Sequence, residues 1–82
     1  MTCIATVYSH FGAMRLRREL EKLGISGTLM PVPRELSSSC GTCLRFDAPE
    51  GFLLNDAHGE VETLAEVTPG GYRVMWTAEE ST

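Results

Sequence analysis

No stretch of this sequence is apolar for long enough to span a bilayer, and the opening Met1-Thr2-Cys3-Ile4 lacks the basic region and extended apolar run of a secretory leader. A soluble cytoplasmic protein is the expectation. Net positive charge is missing too: 7 Lys and Arg against 11 Asp and Glu leave -4 at pH 7, so nothing broadly attracts phosphate backbones or anionic lipid. Nucleic acid and membrane are not expected partners. The chain also has no internal repeat, no glycine-rich phosphate loop, no nucleophile elbow and no histidine-zinc motif, and its acidic residues are scattered. Cysteine is too scarce for a disulfide framework. Three cannot all pair within one chain, and Cys40 and Cys43 stand three apart, which suits a reducing compartment.

What is present fits one domain over residues 1–82, with one core and little room for an enclosed cavity, since a chain of this length buries about 60–65% of its unfolded surface. Cys3 to Tyr8 is apolar and rich in β-formers, which predicts a first strand. Ser9 then serves as a helix N-cap. Ala13, Leu16, Leu20 and Leu23 fall on one stripe of the helix it opens. Gly24 stands where a left-handed C-terminal cap is wanted, with Ile25 placed to pack back on the last turn. Arg15, Arg17 and Arg18 read as a solvated face balanced by Glu19 and Glu21. Thr28 to Val32 predicts a second strand, placed at a sheet edge by its prolines, and Thr42 to Phe46 a third, with Leu44 and Phe46 facing opposite to Cys43 and Arg45.

From Asp47 to Leu54, Pro49 and Gly51 argue for a loop carrying the apolar plug Phe52-Leu53-Leu54. Asn55 or Asp56 then reads as the cap of a second helix through Val61, Leu64 and Ala65, weakened by Gly59. Pro69-Gly70-Gly71 makes a turn, Tyr72 to Trp76 a last strand, and Ala78 to Thr82 a polar tail. The order strand, helix, strand, strand, helix, strand predicts an α+β fold of ferredoxin-like βαββαβ type, a four-stranded antiparallel sheet with two helices on one face. Such a fold hosts many functions, so chemistry has to be sought in the loop between the second and third strands.

That loop, Pro31-Val32-Pro33-Arg34-Glu35-Leu36-Ser37-Ser38-Ser39-Cys40-Gly41-Thr42-Cys43, compresses a stiff entry, a cation, three hydroxyls and a thiol into one segment. The thiolate is the reactive form of cysteine. Ser37, Ser38, Ser39 and free backbone N–H groups are donors for an anion, Arg34 would favour a negative sulfur unless Glu35 cancels it, and Gly41 permits backbone conformations closed to other residues. A blander account competes on equal terms for the residues alone: a buried inert cysteine, a polar serine turn and an exposed arginine.

The helix opening Tyr8-Ser9-His10-Phe11, its close Leu23-Gly24-Ile25, and then Pro31, Pro33-Arg34, Ser37-Ser38, Cys40-Gly41 and Leu44 resemble a small bacterial family described as selenium or sulfur carrier-like proteins. The resemblance covers roughly the first half of the chain, and beyond Asp47 the sequence departs from the usual pattern. It implies a carrier role for Cys40. The thiolate would accept sulfur or selenium as a persulfide or selenopersulfide from a pyridoxal-phosphate enzyme of the cysteine desulfurase type, and deliver it to an accepting enzyme. Such a carrier needs no cofactor of its own and has no turnover of its own, so it is not an enzyme in the usual sense.

Two alternatives use Cys43 as well. A thiol-disulfide module would pair Cys40 with Cys43, but extended chain advances about 3.3 Å per residue, so a strand-borne Cys43 is reachable only if Gly41-Thr42 bends sharply. Cys43 would otherwise act as a resolving thiol that releases bound sulfur as sulfide. A soft-metal module would use the same pair for copper, or for zinc with ligands such as His10 or Cys3 or through a dimer; His58 carries no spacing signal.

Overall fold

Cys3 to Val7 are all buried, and the strand that holds them, β1 (Thr2–Val7), runs through the middle of the sheet. Both faces of a central strand are covered, which is why its sequence is a near-continuous apolar run and not an alternation. In the computed structural model, which describes residues 1–78, β1 is followed by α1 (His10–Lys22), β2 (Gly27–Pro31), β3 (Thr42–Asp47), β4 (Val61–Thr68) and β5 (Gly71–Thr77). The strands lie in the order β2-β3-β1-β4-β5, and every neighbouring pair is antiparallel. The expected tail lies, from residue 79 onward, outside the described residues.

The first half follows the sequence reading closely. Ser9 caps α1, its Oγ accepting from Gly12 N–H at 3.0 Å. The helix closes in a Schellman turn: Gly24 takes φ 79°, its N–H donates to Glu21 O at 3.0 Å, and Ile25 N–H donates to Leu20 O at 3.0 Å. The buried stripe is Gly12, Ala13, Leu16 and Leu20, while Leu23 is 68% exposed, because it is the cap residue and leaves the helical path. Ile25 takes the vacated place in the core. β1 and β2 flank β3, so the split βαβ unit is present, with β2 at the edge as its prolines required.

The second half departs from expectation. Residues 61–68 form β4, which makes a hairpin with β5 through Pro69 and Gly70, so the described residues hold one helix and five strands where two helices and four strands were expected. Asp56 does cap, but it caps a turn: its carboxylate accepts from Glu60 N–H at 2.9 Å and Val61 N–H at 3.0 Å, and Gly59 takes φ 64°. The chain is thereby reversed into a strand. What looked helical in Val61, Leu64 and Ala65 is a β-bulge. Val7 faces Val61 and Thr6 faces Thr63, which leaves Glu62 as an extra residue and breaks the two-residue period.

One helix cannot cover five strands. α1 lies over β1, β2 and β3, and Phe52, Leu54, Met75 and Trp76 pack on the rest of the core, with the Phe52 ring edge-on to Phe46 at 6.0 Å. Leu53, in the same apolar plug, is 90% exposed.

Candidate functional site

The loop between β2 and β3 is closed at its base by Val32 N–H donating to Gly41 O at 3.1 Å, and Gly41 sits at φ 75°, a conformation that only glycine adopts without strain. At its tip Leu36 N–H donates to Pro33 O at 3.0 Å. Arg34 and Glu35 occupy that tip, both exposed, and Arg34 forms no hydrogen bond or ion pair among the described residues. The loop then turns inward. Ser38 Oγ donates to Val7 O at 3.1 Å, and the Cys40 N–H returns to Ser38 Oγ at 3.3 Å.

Cys40 is half-buried against the edge of the core. Its sulfur donates to Val7 O at 3.3 Å and approaches Thr42 O at 3.5 Å, with Ser38 Oγ at 3.9 Å. Carbonyl oxygens only accept, so the sulfur meets them as an S–H donor. Ser39 points the other way. Its N–H and Oγ both donate to the Glu62 carboxylate, each at 2.9 Å, so this pair of donors already holds an anion. Ser37 is exposed and lines a cleft of about 280 Å³ with Tyr8, Glu62, Thr63, Thr77 and Ala78.

The structure thus brings Ser38 and Cys40 together on Val7 O, gives Ser39 to Glu62, and leaves Arg34 at the tip. Glu62 is the residue the sequence did not point to. It lies 23 positions beyond Ser39, in a segment that reads as helix.

The other two thiols are fully buried. Cys43 pairs with Thr6 on β1 and Met30 on β2, on the sheet face opposite the helix, and its sulfur donates to Pro31 O at 3.6 Å. Burial, and secondarily the charge that Cys40 would carry as a thiolate, push the Cys43 thiol up to about 11. Cys3 lies under the helix, and burial pushes it up as well. All three cysteines are free. The neighbouring Thr6 hydroxyl is buried with no hydrogen-bond partner among the described residues.

The remaining candidates are dispersed. His10 begins α1 and His58 sits in the Asp56 turn, both exposed, and among the described residues no three His, Cys, Asp or Glu side chains are grouped to hold a metal. Arg15 pairs with Glu60 at 3.3 Å, and not with Glu19, while its guanidinium lies 4.8 Å from the centre of the Phe11 ring. Among the described residues no helix is long and apolar enough to cross a membrane.

Set against known proteins, residues 2–62 match the family model described as putative Se/S carrier protein-like. The match passes Asp47 and takes in the apolar loop, so it extends further along the chain than the motif residues alone indicate. No curated protein and no solved structure gives a significant match.

Proposed function

The chain belongs to the putative Se/S carrier protein-like family, and from that premise we propose that it carries sulfur or selenium on Cys40, from a cysteine desulfurase-type donor to an accepting enzyme. The observation that carries this reading is the contrast among its thiols: Cys40 alone is half-buried, on a loop, while Cys3 and Cys43 are sealed in the sheet. The Cys40 thiolate attacks the terminal sulfur of a donor persulfide. The donor's S–S bond breaks, a new S–S bond forms on Cys40, and the donor cysteine leaves as its thiolate. Electrons balance within that exchange, so no outside oxidant is needed. Delivery repeats the step with the acceptor as nucleophile.

The loop residues take supporting roles in this reading. Ser38 orients the thiol through their shared acceptor, Gly41 allows the chain to turn under the sulfur, and the donors of Ser37 and Ser39 suit a charged terminal atom. Arg34, exposed at the tip, is placed to meet an anionic sulfur or a partner's carboxylate. Cys43 supports the carrier reading over a redox pair. A thiol pushed up to about 11 is a poor attacking group near neutral pH, and its strand is laddered on both sides.

Intact-mass measurement after incubation with a cysteine desulfurase and cysteine tests the assignment. The wild type and Cys43→Ser gain one sulfur atom, and Cys40→Ser gains none. An adduct retained in Cys40→Ser, or lost only in Cys43→Ser, would overturn it.

A further inference from the structure

Three consecutive loop residues are tied to two different strands. Ser38 and Cys40 reach the end of β1 through Val7 O, and between them Ser39 reaches across to Glu62 on β4. The Glu62 grip is two-pronged, N–H to one carboxylate oxygen and hydroxyl to the other, and bonds to a charged acceptor are roughly twice as strong as neutral ones. It depends on the bulge. Where Val7 faces Val61 and Thr6 faces Thr63, Glu62 has no ladder partner on β1, and a residue freed in this way has its side chain re-aimed. Ala78 N–H, donating to Glu62 O at 2.9 Å, braces the backbone at the same point.

While that grip holds, the Cys40 sulfur has carbonyl acceptors on two sides, and the N–H of Ser39, its neighbour in the chain, is spent on a carboxylate. A deprotonated terminal sulfur on Cys40 would lie one residue from the same donors.

We propose that Glu62 is a positioning residue for the Cys40 thiol: its carboxylate docks the loop through Ser39 and keeps the sulfur turned toward the main chain. Reaction at Cys40 requires Glu62 to release Ser39, whose N–H and hydroxyl then pass to the incoming anionic sulfur. The docking stands on geometry alone, and the hand-over to sulfur rests on the carrier reading.

The test is iodoacetamide alkylation of the full chain, followed separately at Cys3, Cys40 and Cys43 by peptide mass. Glu62→Gln keeps the shape and one acceptor but removes the charge, and speeds Cys40 alkylation about fivefold, the factor that about 1 kcal/mol makes in a closed-to-open ratio. Glu62→Ala speeds it further. Ser39→Ala adds nothing in the Glu62→Ala background, because its hydroxyl has already lost its partner. Cys3 and Cys43 report general loosening and keep their wild-type rates. Unchanged Cys40 rates, or equal rises at all three cysteines, overturn the proposal. If the wild type takes sulfur from the donor while Cys40 ignores Glu62, the docking fails and the carrier reading stands. If Cys40 responds to Glu62 and the wild type takes no sulfur, the docking stands and the carrier reading falls.

Discussion

Raising the pH should unfold this protein in part through a thiol that takes no part in the proposed transfer. Cys43 is fully buried, and its thiol is pushed from 9.0 up to about 11, mainly by burial. Between those values the unfolded chain has released a proton that the native state still holds, so unfolding gains free energy as the pH rises. The contribution of Cys43 is fully present below the lower value and is lost on passing through the upper one. At about 1.36 kcal/mol per pH unit, the rise from 9.0 to about 11 has a limit of about 2.7 kcal/mol, of which about 2.3 kcal/mol is gone when the pH reaches the native value. That is a large share of the roughly 5–15 kcal/mol typical of a domain. Cys43→Ser removes the titration and keeps a donor for Pro31 O. Urea unfolding followed by Trp76 fluorescence, in reductant at about pH 8 and about pH 11, isolates the effect, because tyrosines, Lys22 and the other thiols cancel between the two proteins. The wild type should lose about 2 kcal/mol more than the variant. Losses that agree to within about 0.5 kcal/mol would refute the reasoning, since burial could not then be holding the proton on Cys43.

The buried, unpartnered Thr6 hydroxyl makes Thr6→Val a stabilising change of about 1–2 kcal/mol, read as a rise in thermal midpoint; a fall would mean the hydroxyl has a partner. Asp56→Ala, which takes the acceptor from Glu60 and Val61 N–H, should cost about 1–3 kcal/mol and speed amide exchange at those two positions while leaving α1 protected. Equal exchange along α1 would show that the Asp56 turn is not a local device.

The half of the molecule that could be read from the sequence is the half whose signals are local. Ser9 and Gly24 bound α1 through hydrogen bonds to residues at most five positions away, and the prolines of the second strand speak for an edge whatever lies beside it. Thr42 to Phe46 alternates because β3 has a different environment on each face, and Cys43 does lie opposite the helix. β4 failed for the converse reason. Its bulge shifts Val61 out of step with Leu64, giving the three-then-four spacing of a helix, and only the pairing with β1 reveals the extra residue. The β-branched Val61, Thr63, Val67 and Thr68, with Gly59 before them and Pro69-Gly70 after, were the available signal for a hairpin strand. At the site, Cys40 and Ser38 share a two-residue contact that sequence can suggest. The Ser39–Glu62 bond cannot be inferred in that way, because it joins two segments that meet only once the sheet has formed.

Both close acceptors of the Cys40 sulfur, Val7 O and Thr42 O, belong to the peptide backbone. No side-chain replacement deletes a carbonyl, so a mutational map of positions 7 and 42 will register packing and strand propensity and stay silent about the sulfur. Seen from those two positions alone, the thiol will look genetically solitary. These two acceptors can be moved only by shifting main chain against main chain, and a register shift beside Val7 already exists at Glu62, which has no ladder partner on β1. Deleting that one residue would realign a whole strand. An ester in place of the amide bond that follows Val7 would instead weaken one acceptor, at the cost of the Tyr8 N–H that donates to Glu60 O, and leave every side chain as it is.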